Sequence, residues 1–489
     1  MMKFIAVTAA LLVAANAISI SWTGYGGDNQ WTNRINWSPD QVPGTADDVT
    51  IGSGVVLVTI ATGVNSLVMG TDFSAPANLT IYQQFFIGTG GLQVSGNGNL
   101  FINAGSASVT GTVTIGGNLF FQSGQISGQW TVNNRGVADL SGAAQKVLTG
   151  AQFVSQASSF IASGVIALNQ SSQIIVQSAL TLSGDVSIQA QDSTSVLLDT
   201  SAGTLTYTGS GVFQIQAPIN VGTFNYQGGN ITIFDDVAFV NPFVIPSGSY
   251  VATVGNAVAN LTAGVSGAGV LSAAGSVLLL GNTTVNVLNV VGGNVSFDKV
   301  GSDVSVLTVS GGITKVNNAV SAKQLNLLSG TVQGAATVSA AQLYVSSQGF
   351  GLNAALTVSS TASVGGLISF GSAGSLTLQS TASFSTLASV TFTGVPGRTV
   401  TNNGVLNAIS PVVFNNINLA GSGSANVQST LSFQTAVLTQ NSVTLSGAGV
   451  LKGANTNLSI AKVKSTPTVN AVIGSHSFTF PREGDSGST

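Results

Sequence analysis

The sequence contains no cysteine, a single histidine and few charged residues. Charged side chains make up 6% of the 489 residues, whereas hydrophobic ones make up 44%. The absence of cysteine excludes disulfides, thiolate metal sites and a cysteine nucleophile. His476 is the only histidine, and the spacing suggests no acidic or Ser partner for it, so we expect neither a Ser-His-Asp triad nor a multi-histidine metal site. The polar surface must therefore be built mainly from Ser, Thr, Asn and Gln.

The charge balance also limits the partners. The formal net charge is -3, and the 12 basic residues are scattered singly, so they form no basic stripe of the kind that neutralises phosphates. We therefore expect no nucleic-acid partner. The apolar stretch at the N-terminus stops short of the about 20 residues that a membrane helix needs, so we expect no membrane span either.

The N-terminus has the pattern of a secretory signal peptide. Met1-Met2-Lys3 supplies a positive start, Phe4 to Ala15 an apolar stretch, and Ala15-Asn16-Ala17 an A-x-A cleavage site. We predict that residues 1–17 are a signal peptide. The expected location is extracellular, either free or at a cell surface or wall.

A short apolar phrase returns every 18 to 20 residues. Leu288-Asn-Val-Val-Gly-Gly comes back in similar form at Leu307, Leu325 and Leu343, and the segment that starts at Leu356 is echoed 20 residues later. Repeats of this length indicate one turn of a solenoid each.

Within the repeats, apolar and polar residues alternate, as in Val109-Thr-Gly-Thr-Val-Thr-Ile. A period of two predicts strands with one buried face, and 61 glycines make tight corners easy to form. A β-sandwich array would need strands about 8 to 12 residues apart with longer loops. The sequence therefore predicts an all-β protein, a single long parallel β-helix (β-solenoid) of roughly twenty coils over residues 51–473.

Both ends of this repeat region differ from it. Residues 18–50 contain three of the four tryptophans, namely Trp22, Trp31 and Trp37. Because an open sheet edge recruits other chains, we interpret this segment as an N-terminal Trp-rich cap. Residues 474–489 are polar, and we predict a C-terminal tail or the start of a continuation beyond Thr489.

The N-terminal motifs carry a resemblance. The run Trp22-x-Gly-x-Gly, Trp31, Asn36-Trp37-Ser-Pro, Val42-Pro43-Gly and Asp47-Asp48-Val-x-Ile, followed by Leu-x-Val-x-Gly-Gly repeats, resembles the start of secreted adhesin-like and autotransporter-like β-helix surface proteins. The segment from Trp37 to about Val94 is similar to the G8 module of eukaryotic surface proteins. The first resemblance implies a pectin-lyase-type right-handed parallel β-helix with an adhesive or structural role.

The best candidate for catalysis is the acidic pair Asp235-Asp236, which follows a predicted strand. It resembles the adjacent aspartates of polygalacturonase-type hydrolases, although the Asn-Thr-Asp, Gly-His-Gly and Arg-x-Lys parts of that pattern are missing. Paired carboxylates can perform acid–base work on a glycosidic bond. A turn with two solvated aspartates is the simpler interpretation.

The cap offers candidates for a metal ion and for sugar. Asp47 and Asp48 could contribute oxygens to a calcium ion, the one cofactor that we consider, but there is no Asp-x-Asp-x-Asp-Gly spacing. Aspartates that accept loop N–H groups are the alternative. The rings of Trp22, Trp31 and Trp37 could stack on sugars, or they could close the core.

Seven Asn-x-Ser/Thr sequences are candidate N-glycosylation sites if the host is eukaryotic. They lie at Asn78, Asn169, Asn230, Asn260, Asn282, Asn294 and Asn457.

Three functions remain open. The leading hypothesis is a non-catalytic secreted scaffold that adheres to a polysaccharide or glycoprotein matrix, or to copies of itself. The alternative is a polysaccharide lyase or glycoside hydrolase at Asp235 and Asp236. The third, ice binding, requires a threonine ladder at one coil position. Thr110-Gly-Thr-Val-Thr and Thr391-Phe-Thr have this texture, but the register is not kept from coil to coil.

Overall fold

The computed structural model describes residues 17–480, except 158, 192–196, 300, 447, 455, 467–468 and 474–475. The predicted signal peptide lies outside the described residues apart from Ala17, and so do residues 481–489 of the predicted tail. About 70% of the chain is in strands, and almost none of the described part is helical. The described helical element is a single 3₁₀ turn, Arg34–Asn36.

The chain divides into two compact units, Met1–Thr204 and Leu205–Thr489. The sequence predicted one β-helix over residues 51–473, and the repeat texture does not change near residue 204. Strand β17 (Leu197–Thr208) contains the division.

The strands of the first unit are β1 (Ser19–Trp22), β2 (Trp37–Ser38), β3 (Asp48–Ile51), β4 (Gly54–Val58), β5 (Thr62–Met69), β6 (Ala77–Ile81), β7 (Gln84–Val94), β8 (Gly98–Ile102), β9 (Ser106–Ile115), β10 (Asn118–Phe121), β11 (Gly124–Val132), β12 (Val137–Leu140), β13 (Lys146–Ser155), β14 (Ser159–Asn169), β15 (Gln173–Val176) and β16 (Ala179–Ala190).

The strands of the second unit are β18 (Val212–Gln216), β19 (Ile219–Tyr226), β20 (Asn230–Ile233), β21 (Val237–Phe239), β22 (Phe243–Val244), β23 (Tyr250–Thr253), β24 (Val258–Leu261), β25 (Gly264–Ala273), β26 (Ser276–Leu279), β27 (Asn282–Val290), β28 (Asn294–Phe297), β29 (Ser302–Val316), β30 (Val320–Val345), β31 (Phe350–Phe370), β32 (Ser375–Leu378), β33 (Ser383–Asn402), β34 (Val405–Ala408), β35 (Val412–Ala420), β36 (Ser424–Val427), β37 (Thr430–Gln434), β38 (Val437–Ser446), β39 (Val450–Ala454), β40 (Asn457–Thr466), β41 (Val469–Ile473) and β42 (His476–Phe480).

Strands pair in parallel with the equivalent strand of the next turn. Leu288 lies opposite Leu307, which lies opposite Leu325, and Leu356 lies opposite Leu376. The leucines of the repeated phrase are therefore equivalent positions in successive turns. The predicted parallel β-solenoid is confirmed, with about 20 turns in all.

Alternate side chains point inward and form columns along each stack. In the first unit, Leu79, Leu100 and Leu119 are in register, and all three are buried. In the second unit, the buried Phe414 ring stacks on Phe392 and Phe433, with centroids 4.8 and 5.1 Å away. These distances are close to the spacing of neighbouring strands, so each core ring packs on its equivalent in the next turn.

One corner of the second unit is a column of glycines. A Cβ added to Gly293 would lie 1.9 Å from the carbonyl oxygen of Gly275, and one on Gly312 would lie 1.8 Å from that of Gly293. Side chains cannot fit at these distances. The paired glycines of the repeated phrase are therefore required because successive turns approach closely at this corner.

We predict that Gly293→Ala lowers the free energy of unfolding by about 1–3 kcal/mol, because the methyl group must displace a backbone carbonyl. The matched control is Gly96→Ala, since nothing lies within 4 Å of an added Cβ there. Chemical denaturation of both variants checks this. Equal stability of the two alanine variants would show that the corner relaxes without cost.

The described part of the C-terminal end forms an antiparallel hairpin. Strand β42 pairs with β41 along its whole length: His476 lies opposite Ile473 at one end, and Phe480 lies opposite Val469 at the other. Residues 476–480 therefore form a strand within the segment that the sequence analysis interpreted as a polar tail or the start of a continuation. The alternation in His476-Ser-Phe-Thr-Phe is the strand signal that the boundary at residue 473 missed.

Candidate functional site

The predicted cap covers the first turn of the first unit. Strand β1 pairs in parallel with β3 and in antiparallel with β2, so the cap adds a strand to the stack. The Trp37 ring contacts those of Trp22 and Trp31 edge to face, with centroids 4.8 and 4.7 Å away. Trp31 also packs against Phe85 at 5.2 Å.

The burial of these rings decides what they can bind. Trp31 and Trp37 are 0% and 1% exposed, and the indole N–H of Trp37 donates to the carbonyl oxygen of Trp31 at 2.8 Å. Neither ring presents a face to solvent, so the structure places both in the core rather than on a sugar-binding surface. Trp22 is partly exposed.

The cap loop is organised around the buried side chain of Asn36. Its Oδ1 accepts the N–H of Gly26 at 2.7 Å, and its Nδ2 donates to Asp28 Oδ1 at 2.7 Å and to the Gln30 carbonyl at 3.1 Å. The N–H of Gln30 and the amide of Asn36 hold the pKa of Asp28 below its usual value. Asp28 is therefore ionised at neutral pH, with its oxygens already engaged.

Asp47 and Asp48, the candidate calcium ligands, also accept protein donors. Asp47 is buried and accepts the N–H groups of Ile18 and Gly44 at 3.3 and 2.8 Å. Asp48 is exposed, and the hydroxyl of Ser66 and the amide of Asn65 lower its pKa. Within the described residues, no group of three or more His, Cys, Asp or Glu side chains could hold a metal ion.

Asp235 and Asp236 lie in the turn between β20 and β21. Asp235 Oδ1 accepts the N–H of Asp236 at 2.7 Å, and Asp236 Oδ1 accepts the N–H of Val258 at 3.0 Å. These contacts stabilise the turn and its packing on the next strand. They resemble the structural role of turn aspartates rather than two carboxylates facing each other across a substrate.

The glycosylation sequences differ in accessibility. Asn230, Asn282 and Asn294 are exposed, and each begins a strand. Three others are partly buried: Asn78, Asn169 and Asn260. The side chain of Asn457 lies outside the described residues.

The second unit presents two adjacent outward-facing columns of uncharged side chains over five turns. The first column contains Thr361, Ser383, Val405, Ser424 and Ser442, and the second contains Ser363, Ser385, Asn407, Asn426 and Thr444. The residues between the columns are buried, so both columns lie on one face. We call these ten residues the hydroxyl–amide face. In the next turn Lys462 and Lys464 follow Ser442 and Thr444 in register.

Hydrogen bonds run along the hydroxyl–amide face. Asn407 Nδ2 donates to Ser383 Oγ at 3.2 Å, and Asn426 Nδ2 donates to Asn407 Oδ1 at 2.9 Å. Sequence reasoning missed this face because the equivalent residues are between 18 and 22 positions apart. A search with one fixed repeat length therefore does not align the equivalent residues of successive turns. The signal that could have found the face is the pair of small polar residues on either side of each buried position.

The first unit has a comparable asparagine column. Asn118 Nδ2 donates to Asn99 Oδ1 at 2.7 Å, and Asn99 Nδ2 donates to Asn78 Oδ1 at 2.8 Å. Beside it, the rings of Phe101 and Phe120 stack at 4.6 Å and 8°. Each ring therefore covers one face of the other.

The threonine segments considered for ice binding do not continue as ladders. Thr112 lies opposite Gln129, and Thr391 lies opposite Leu367 and Val413. A different column has hydroxyls over four turns, namely Ser339, Thr357, Thr377 and Thr401, before it reaches Ala420.

Lys146 is a fully buried cation in the first unit. Its Nζ donates to the carbonyl oxygens of Gly142, Ala144 and Ser163 at 2.8, 3.0 and 3.0 Å. Burial lowers its pKa to about 8, although the charge of Asp139 opposes this shift. The ammonium group therefore holds the loop that precedes β13.

No helix in the described part of the chain is long and apolar enough to span a bilayer. No family model matches the chain, and neither the curated proteins nor the solved structures contain a match.

We predict that Lys146→Met lowers the free energy of unfolding by about 1–3 kcal/mol, because the hydrogen bonds from the ammonium group to three carbonyl oxygens are lost. Thermal unfolding at pH 7 measures the loss. Lys452→Met, which removes an exposed lysine, is the matched control and should unfold close to the wild type. A Lys146→Met midpoint equal to that of the control would contradict a structural role for the buried ammonium.

The same variant tests the pH dependence. An unfolded lysine keeps its proton up to about pH 10.5, whereas the pKa of folded Lys146 is about 8. Between these values the unfolded state binds more protons, so the free energy of unfolding should rise with pH. The difference between wild type and Lys146→Met should grow from pH 8 to 10. A constant difference would contradict the lowered pKa.

Proposed function

We propose that the protein is a non-catalytic secreted scaffold that adheres to a wall or matrix polymer, or to its own copies, through uncharged polar faces. The hydroxyl–amide face is the observation that carries this proposal. Secretion remains an expectation from the pattern of residues 1–17. The adhesin-like character implied by the N-terminal motifs is part of the same proposal.

The spacing of the strands sets the spacing of the polar groups on the face. Successive rungs of the hydroxyl–amide face are about 4.8 Å apart, which is the distance between paired strands. A partner that lies along the face meets a hydroxyl or amide at nearly every rung. A single neutral hydrogen bond stabilises a contact by only about 0.5–1.5 kcal/mol, so affinity has to come from many of them acting together.

The lack of charge on the hydroxyl–amide face limits which partners are complementary to it. None of the ten residues of the face is ionisable, and Val405 is its single apolar member. Over these five turns the face has little long-range field, and the nearest charged residues in register are Lys462 and Lys464 in the turn that follows Ser442 and Thr444. Polymers rich in hydroxyls and amides, including glycans and the same face of a second copy, are complementary to it.

The first experiment is a pull-down of residues 18–489 on insoluble polysaccharides, with released sugar assayed in the same tubes. We expect retention without released sugar. Protein that is neither retained nor self-associated in sedimentation would contradict the scaffold. Released sugar would favour the hydrolase or lyase alternative and make Asp235 and Asp236 the first residues to mutate.

The double variant Ser363→Lys/Ser385→Lys tests the face itself. Two stacked charges should weaken retention or self-association by about tenfold or more, equivalent to about 1.4 kcal/mol, because a buried ammonium loses its hydration. Binding isotherms on the retaining polymer, or sedimentation at several concentrations, measure the change.

The matched control is Ser369→Lys/Thr393→Lys. These residues pair in the same two turns but lie on a neighbouring face. The control should bind like the wild type. If both variants lost binding equally, net charge rather than the hydroxyl–amide face would be responsible.

A further inference from the structure

Two aromatic rings in the first unit extend into solvent. Tyr25 and Phe73 are 84% and 83% exposed, more than any other large hydrophobic side chain in the described part of the chain. Exposed apolar rings are unfavourable in water, and single ones occur on many surfaces. These two rings have in common that they lie on turns near the same corner of the first unit.

Both rings lie on turns that hydrogen bonds hold in place. The turn at Tyr25 is closed by the N–H of Gly27, which donates to the Gly24 carbonyl at 3.0 Å, and is tied to Asn36 through Gly26. At the other turn, Asp72 Oδ1 accepts the N–H and the hydroxyl of Ser74 at 2.8 and 2.7 Å. A ligand would therefore meet two turns whose backbone is already held in place.

The two turns border the same glycine corner, Gly52–Gly54. A Cβ on Gly52 would lie 3.6 Å from Asp72 Cβ, next to Phe73 in the chain. A Cβ on Gly54 would lie 3.2 Å from Trp22 Nε1, and one on Gly24 would lie 3.4 Å from the same atom. The turn that carries Phe73 therefore lies on one side of the corner. Trp22 lies on the other side, next to the turn that carries Tyr25.

Trp22 adds a polar group to this surface. Its ring is partly exposed, and among the described residues its indole N–H has no hydrogen-bond acceptor. Because Gly52 and Gly54 have no side chains, no Cβ from this corner lies against Trp22 Nε1 or against the Asp72 turn. We call Trp22, Tyr25, Gly52, Gly54 and Phe73 the cap-rim surface.

The charge around the cap-rim surface argues against an anionic ligand. Between residues 17 and 134 the one basic residue is Arg34, against five aspartates: Asp28, Asp40, Asp47, Asp48 and Asp72. Hydrogen bonds from the hydroxyl and the N–H of Ser74 lower the pKa of Asp72, which lies beside the corner. Phosphates and uronic acids would be repelled, whereas a carboxylate accepts hydrogen bonds from neutral hydroxyls.

We propose that the cap-rim surface binds sugar rings of an uncharged polysaccharide. Tyr25 and Phe73 pack on the apolar faces of the sugars, and the indole N–H of Trp22 donates to a sugar oxygen. Ring stacking with a few directed polar groups is the chemistry that recognises neutral sugars, since these carry C–H faces and hydroxyl edges. This inference rests on the proposed adhesion to a polymer and identifies its class.

The test titrates the full mature chain with soluble hexasaccharides of neutral β-glucan, chitin and mannan, and with oligogalacturonate as the anionic probe. Tryptophan fluorescence and calorimetry follow binding. We expect a neutral hexasaccharide to bind, and Tyr25→Ala/Phe73→Ala to weaken it at least about tenfold. Trp22→Phe, which keeps a ring but removes the N–H, should weaken it less.

The matched control is Tyr82→Ala/Phe86→Ala, which removes one exposed Tyr and one exposed Phe of the same unit away from the corner. This control should keep wild-type affinity, and circular dichroism verifies the fold of each variant. Unchanged affinity of Tyr25→Ala/Phe73→Ala would overturn the cap-rim site, while retention of wild type on polymer would leave the scaffold proposal standing. Preference for oligogalacturonate would overturn the neutral-sugar class.

Discussion

The pairing of each strand with its equivalent in the next turn is the interaction on which the rest of the structure depends. Because paired strands are about 4.8 Å apart, each side chain lies directly above its equivalent, and every position becomes a column. Inside, the columns are leucines and stacked phenylalanines such as Phe392 and Phe414. At one corner they are glycines, since the carbonyl oxygen of Gly275 occupies the space of a side chain on Gly293.

The same stacking accounts for the scarcity of charge. Two like charges 4 Å apart repel by about 1 kcal/mol in water and more strongly near a protein surface, and a column repeats that cost at every rung. An asparagine avoids it because its amide donates to one neighbour and accepts from the other, as Asn99 does between Asn78 and Asn118. The charge of Lys146 is tolerated for a different reason, because its ammonium group is surrounded by three carbonyl oxygens rather than stacked on another charge.

The fold could be predicted from the sequence because its two periods are local properties. Alternation defines the strands, and the return of Leu288 as Leu307 and Leu325 defines the turn. The cap could be located from its tryptophans, but which rings are buried depends on contacts such as that between Trp31 and Phe85, which are 54 positions apart.

The outward columns could not be predicted in the same way. Their register depends on the number of residues in each corner, and that number varies from turn to turn. The residue pairs Ser363–Ser385 and Asn426–Thr444 are equivalent although one spacing is 22 and the other 18. The exposure of Phe73 depends on the Asp72 turn, which no repeat of the sequence marks.

Columns also decide where a ring can present a free face. An aromatic residue within the repeat tends to stack on its equivalent, as Phe101 does on Phe120, and each loses a face to the other. A ring on a turn that the next coil does not repeat keeps both faces. Tyr25 and Phe73 lie on such turns. The same constraint therefore separates two kinds of surface, because small polar groups that can form hydrogen bonds lie in the columns, whereas rings with free apolar faces lie on the irregular turns near the cap.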